Sequence, residues 1–323
     1  MKKILCAGLV VCDIPLRPVP RNMFDMDHVT IEEPEYSTGG DAVNVAITLS
    51  KLGMQAFFSG LVGNDANGDF ILGRLAALGV DTGGAARHPR LGTGVSYIII
   101  EPEGERHFLT PGLINNEFSI EHIPPDLVGE VDLVYLGSAM SLRKMDEGGT
   151  AALFKKSHSL GKVTAADVCG IRANEDGYWR KALAPMLMET DIFLPSYREA
   201  VEITGRDDLD GIRDALSGYG IKLLVVKRGS LGCYITDFKD EWNVPTFTEF
   251  KAVDTTGAGD SFVGGFLCAY LLGWPPQNAG RFANAVASFN VTKVGATGGV
   301  PDFDTAYQYV REHSPPGTFT VNV

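Results

Sequence analysis

Positive charge is in short supply in this chain. Its 28 Lys and Arg stand against 40 Asp and Glu, a net charge of −12 with a pI near 5.0. A surface of that sign cannot neutralise a phosphate backbone, which excludes nucleic acid as a partner but leaves room for a local pocket holding one small anion. Cysteine is scarce too, with five residues at Cys6, Cys12, Cys169, Cys233 and Cys268. They are odd in number and scattered, with no C-x-x-C and no Cys/His ligand spacing. That excludes a disulfide framework and structural zinc, and it suits a reducing cytoplasm. Long hydrophobic runs are missing. The longest uncharged stretch, Ser261 to Gly280, is interrupted by Gly264, Gly265, Gly273 and Pro275-Pro276. Its apolar part falls short of the ~20 residues that cross a bilayer. The first apolar run, Ile4 to Val11, is short and reaches Asp13 without an A-x-A site, so it reads as a buried strand rather than a secretion signal. The sequence offers no membrane segment, internal repeat or low-complexity tract.

What is present is ordinary for a soluble globular chain. Of 323 residues, 45% are hydrophobic and 21% charged, and the mean hydropathy is +0.04. Short apolar runs alternate with helical spacing. Ile4 to Leu9, Ala56 to Leu61, Leu133 to Leu136, Lys162 to Ala166, Ile192 to Leu194 and Leu223 to Lys227 read as buried strands. Ala42 to Leu52, Gly68 to Leu78, Gly149 to Leu160, Arg198 to Thr204 and Leu209 to Leu216 read as helices between them. The alternation predicts an α/β fold, a doubly wound and mostly parallel Rossmann-like sheet flanked by helices. In such sheets the chemistry sits beyond the carboxyl ends of the strands. Two segments break the rhythm: Glu33 to Ser37, and the hairpin pattern of Gly94 to Ile100 with Arg106 to Leu109. They predict a small β lid, built from about 14–37 and 93–112, on a single domain of residues 1–323. Helical spacing dominates from Asp260 to Leu272, Asn278 to Val294 and Phe303 to Arg311.

The most informative stretch is Asp254-Thr255-Thr256-Gly257-Ala258-Gly259-Asp260-Ser261-Phe262, which runs straight into an apolar helix. Glycines at a helix start let successive N–H groups converge on an anion at the positive end of the dipole. Asp260, in that same turn, is placed to act as a general base beside the anion. A plainer alternative also fits: Thr255 or Thr256 caps the helix and Asp260 complements its dipole. No Walker loop occurs, and the run is no dinucleotide fingerprint, because Phe262 stands where the third glycine belongs.

The run from Asp254 to Phe262, continuing through Gly264 and Gly265, resembles the C-terminal signature of the PfkB/ribokinase family of carbohydrate kinases. Gly39-Gly40-Asp41-Ala42-Val43-Asn44, with Leu49, Leu52 and Gly53 behind it, resembles that family's N-terminal signature. The resemblance spans nearly the whole chain and implies ATP-dependent phosphorylation of a hydroxymethyl group on a ribose- or fructose-like sugar. It makes Asp260 the base and the backbone of Gly257, Ala258, Gly259 and Asp260 the anion hole. It also implies sugar contacts from Asp13, Gly39, Gly40, Asp41, Asn44 and Arg106. ATP contacts follow from Lys227, Gly229, Gly232, Thr256, Gly257, Gly259, Asn284, Ala287 and Ser288. Magnesium is expected through water on Glu199. A monovalent cation, K+, is expected near Asp254, Thr256, Asn290, Lys293, Gly295 and Gly299.

The sequence departs from the family pattern in three places. Ser196 precedes Tyr197-Arg198-Glu199 where the family has Asn. The run Asp167 to Arg172 carries a distorted form of the family's D-x-N-x-R element, and Gly137-Ser138 stands where ribokinases tend to have an acid. These departures leave open a nucleoside or 2-keto-3-deoxy sugar-acid kinase of the same family, and a catalytically weak sugar or nucleotide sensor. The exposed edges of a lid imply a homodimer formed lid to lid.

Overall fold

A parallel sheet whose strands are apolar on both faces must be covered on both, and here helices do so. The computed structural model describes residues 1–111, 113–169, 178–315 and 317–321, and for 178–181 the backbone alone. From the N-terminus, β1 (Lys3–Gly8), β2 (Val11–Leu16) and β3 (Ser37–Gly39) precede α1 (Asp41–Lys51). Next come β4 (Gln55–Ser59), β5 (Leu61–Gly63), α2 (Ala66–Ala77), β6 (Ala86–His88), β7 (Val95–Ile100) and β8 (Arg106–Leu109). Then follow α3 (Leu113–Glu117), α4 (Pro125–Glu130), β9 (Leu133–Ala139), α5 (Thr150–Ser159), β10 (Val163–Val168) and α6 (Tyr178–Leu187). After β11 (Ile192–Phe193), α7 (Tyr197–Thr204), α8 (Leu209–Leu216) and β12 (Leu223–Lys227) comes the hairpin of β13 (Cys233–Thr236) and β14 (Glu241–Val244). The helices α9 (Ala258–Leu271), α10 (Pro276–Asn290) and α11 (Phe303–His313) complete the series.

The large sheet has the order β14-β13-β12-β11-β10-β9-β1-β4, parallel from β4 to β12 and antiparallel beyond. Strand periodicity of two sends alternate side chains to opposite faces. Ile4, Cys6, Tyr135 and Ala165 pack with Val45, Phe262, Phe266 and Phe282 of α1, α9 and α10. Leu5, Ala7, Leu136 and Ala166 pack on the other face with Phe118, Phe154 and Ile212. A second sheet, β3-β2-β7-β8, forms the lid.

Three expectations are corrected. The first lid strand is not Glu33–Ser37. Pairing starts only at Ser37, opposite Asp13, and runs to Gly39 opposite Val11, while Pro34 sits among residues that form no strand. The lid therefore begins at Val11, before the expected boundary, and Asp13 lies on the lid strand β2 rather than at the end of β1. The chain turns at Gly8–Val10 to leave one sheet for the other. The run Ala56 to Leu61 is split at Gly60 into β4 and β5, and only β4 belongs to the large sheet. Helix α10 stops at Asn290 rather than running to Val294, because the Asn290 carboxamide turns to the following loop, donating to Ala296 O at 2.9 Å and accepting from Gly299 N–H at 3.2 Å. Gly170, Ile171 and Arg172 of the distorted family element lie outside the described residues.

Candidate active site

Two helix starts more than two hundred residues apart meet at the carboxyl end of the sheet. The α1·α9 packing brings Asn44 Nδ2 within 2.7 Å of Asp260 Oδ2, to which it donates. The Asn44 carboxamide oxygen, Oδ1, is buried with no protein partner among the described residues. A buried acceptor left in that state marks where a ligand donor belongs. Asp260 lines a cavity of about 640 Å3 and is half-buried. Burial, with the Asp41 carboxylate beside it, pushes the Asp260 carboxyl well above the usual carboxylate range.

The turn into α9 takes its shape from Gly257. It has φ +69°, and a Cβ there would lie 2.0 Å from Ala296 O, so no other residue fits without moving the backbone. Ala258, Gly259 and Asp260 line the cavity. The first N–H groups of a helix lack intrahelical acceptors and suit an anion. One of the four expected donors, Ala258 N–H, is turned to Thr255 O at 3.2 Å.

The residues expected to contact sugar include acids. Asp13 is pushed up to about 6 by burial. It packs so closely on Gly39 that a Cβ there would meet its carboxylate at 2.2 Å. Gly40 is the N-cap of α1, and Asp41 in the first turn accepts from Ser138 Oγ at 2.7 Å. The Asp41 carboxyl is also raised by burial.

The same cavity extends along Lys227, Gly229 and Gly232 and past Phe247, Phe250, Ala287, Ser288 and Val291, an apolar slot with polar groups at one end. Asn284 reaches its wall, but its carboxamide donates to Val244 O at 3.1 Å and Pro245 O at 3.3 Å, clamping β14 to α10. Lys227 pairs with Asp167 in a largely enclosed contact. Burial disfavours the ammonium, yet Asp167 and Glu199 outweigh it and hold Lys227 above its ordinary value. Burial still pushes Asp167 up to about 7. Ser196 caps α7: Glu199 N–H donates to its Oγ at 3.3 Å, while Glu199 Oε2 accepts from Ser196 N–H at 2.7 Å. The serine that departs from the family pattern is thus half of a capping box that orients Glu199. The hard oxygen donors of Asp41, Asp167 and Glu199 at the cavity's end suit magnesium held with waters.

Among the residues expected to hold a monovalent cation, the oxygens of Asp254, Thr256 and Asn290 accept from protein donors. Asp254 Oδ1 accepts from Thr256 N–H at 2.9 Å and Thr256 Oγ1 at 2.7 Å, and Oδ2 accepts from Gly295 N–H at 3.0 Å. Despite its burial, these bonds hold the Asp254 carboxyl below the usual range. Arg106, expected to touch sugar, lies instead against Thr256 and Asp254. This donor set does not fit a bound K+.

Sequence reasoning read Asp167 only as part of a distorted family element and did not assign it, Phe247 or Phe250 to the cavity. An acid in an otherwise apolar strand was a further signal for Asp167. The aromatics lie in a segment after β14 with no period to betray them.

The chain matches the pfkB family of carbohydrate kinases over residues 1–302. A sugar kinase of Archaeoglobus fulgidus is 30% identical over 253 residues, covering 78% of this chain and 98% of its own. An ATP-dependent ribose-1-phosphate kinase of Halopiger xanaduensis is 28% identical, covering 97% of this chain and 99% of its own. Among solved structures, a fructokinase with bound ATP from Xylella fastidiosa superposes with a TM-score of 0.83 at 23% identity, covering 97% and 99% of the two chains. No helix among the described residues is long and apolar enough to cross a membrane.

Proposed function

This chain belongs to the pfkB family of carbohydrate kinases, phosphotransferases with an alcohol acceptor, and from that premise we propose that it moves the γ-phosphate of ATP to a hydroxymethyl group of a ribose- or fructose-like monosaccharide. The observation that carries the proposal is the Asn44–Asp260 pair at the polar end of the 640 Å3 cavity, 2.7 Å apart, with the glycine turn of α9 beside it. Asp260 accepts the hydroxyl proton as the oxygen attacks, and Asn44 orients the carboxylate while its free Oδ1 takes a sugar hydroxyl. The N–H groups of Gly257, Gly259 and Asp260 stabilise charge on the transferred group, with Lys227 alongside. What magnesium supplies when bound is charge neutralisation on the phosphates, with Glu199 and Asp167 placed to hold it. The adenine lies in the slot between Phe247, Phe250 and Val291.

Asp41 and Asp260 line the cavity, Asp13 lies on the lid strand β2, and Arg106 is committed to Asp254. An uncharged acceptor suits that field better than a sugar acid. The purified protein with ATP and magnesium is to be tested for ADP release against pentoses, hexoses, ribose 1-phosphate, 2-keto-3-deoxy sugar acids and nucleosides. A neutral pentose or hexose is expected to respond most strongly. Silence across the panel, with sugars still raising the melting temperature, would return the sensor reading.

The lid's outer strand β8 leaves Phe108 and Leu109 exposed beside Tyr97. We expect a second copy to cover this edge, which otherwise invites uncontrolled pairing. Small-angle scattering at micromolar concentration should give twice the 34.7 kDa chain mass, and a monomer there would remove the lid-to-lid dimer. All five cysteines are free thiols, in keeping with the expected cytoplasmic setting.

A further inference from the structure

The loop entering α9 is held together by donors that the protein supplies itself. The Asp254 side chain, only 5% exposed, accepts from Thr256 and Gly295. The carbonyls around it are committed as well. Asn290 Nδ2 donates to Thr256 O at 3.3 Å and to Ala296 O at 2.9 Å, tying the loop before α9 to the loop after α10. Lys51, at the end of α1, donates its ammonium to Thr297 O at 2.7 Å and Val300 O at 3.5 Å. These are the kinds of oxygen that a potassium ion would gather, and here an amide and an ammonium have taken them.

The positive charge facing Asp254 comes from the lid. Arg106 on β8 donates through Nη1 to Thr256 Oγ1 at 2.6 Å, and its Nη2 lies 3.3 Å from Asp254 Oδ1. Thr256 directly precedes Gly257, so the guanidinium bears on the residue next to the anion-hole turn. The contact joins residues 150 positions apart and ties the lid strand β8 to the body's loop before α9.

We propose that Arg106 is a positioning residue that organises the anion-hole loop when the lid closes, in the place a bound monovalent cation would hold. Transfer then requires lid closure and no such cation. With the lid away, the Asp254 carboxylate loses its counter-charge, and its field opposes a γ-phosphate arriving one turn further on. With the lid down, a charge-assisted contact offsets that field and fixes Thr256. Closure over the sugar thereby completes the anion hole, and water alone does not trigger it. The inference rests on the kinase reading above.

Two measurements test it, one independent of activity. Wild-type melting temperatures with a non-hydrolysable ATP analogue should agree to about 1 °C in equal concentrations of KCl, NaCl and choline chloride, since a ligand that binds only the folded form must raise them. A rise of more than about 3 °C specific to KCl overturns the proposal. In turnover, the three salts should give rates within about twofold of one another, and Arg106→Gln should lower kcat about 30-fold with the acceptor KM changed less than about threefold. Arg106→Lys should recover part of the loss, because it restores the charge without the fork. A variant that raises only the acceptor KM would make Arg106 a plain sugar contact and end the proposal, as would strong activation of the wild type by K+. No ADP release with any acceptor in any salt sinks the kinase reading instead, and the melting measurement still decides the cation question.

Discussion

Asp260→Asn should lower kcat by roughly 10²–10⁴-fold, the range that a positioned general base contributes. The acceptor KM should move less than about threefold, because Asn keeps an oxygen for Asn44 Nδ2 and removes only the proton acceptor. The wild type should carry an acid limb in kcat with its midpoint above the usual carboxylate range, since burial and Asp41 raise the Asp260 carboxyl. The variant's residual rate should lack that limb. The stability consequence has a definite sign. A carboxyl raised on folding binds its proton more tightly in the native state, so its contribution is full below the ordinary value and is lost as pH rises through the raised one. Asp167, raised to about 7, and Asp13, raised to about 6, act the same way. At pH 8 the ionised Asp260 therefore costs stability, and Asp260→Asn should melt higher than the wild type, with the gain shrinking toward pH 4. Unchanged turnover in a folded variant would overturn the mechanism.

Gly257→Ala should be the second severe lesion. The new methyl meets Ala296 O at 2.0 Å, and φ is +69°. The left-handed conformation alone costs about 1–2 kcal/mol for a residue with a Cβ. The clash must push the loop before α9 away from the Asn290-bound loop, and the N–H groups move with it. Loss of one aligned donor at such a site costs about 10²–10³-fold in kcat, and a drop of that size is the expected result. Gly273→Ala is the control. It shares the positive φ, +79°, but has nothing within 4 Å of a Cβ and lies at the far end of α9. It should lose a few degrees of melting temperature and keep its kcat. Equal losses of kcat in both would mean that helix stability, rather than the shape of the turn, governs activity.

The legible part of this protein was the part written in local patterns. Apolar runs three to six residues long, separated by helical spacing, require a covered parallel sheet, because no other arrangement buries both faces. The glycine-rich turn before an apolar helix, with an acid in its first turn, announced an anion site with a base from residues 254–262 alone. The lid hairpin was equally clear, since the turn Glu101 to Glu105 closes with Glu101 N–H on Glu105 O at 2.9 Å.

Contacts between distant segments were decided only by the tertiary structure. The strand Val11–Leu16 reads like a continuation of β1, and only its pairing with β7 shows that it belongs to the lid. Asp167 becomes a site residue because the β10–β12 spacing sets it against Lys227. Arg106 was legible as a lid arginine but not as Asp254's partner, and Asn290 not as the tie between two loops. The physical reason is common to all four. Periodicity and turn chemistry act between residues close in sequence, whereas a hydrogen bond between residues 150 or 216 positions apart exists only after the sheet and its helices have packed.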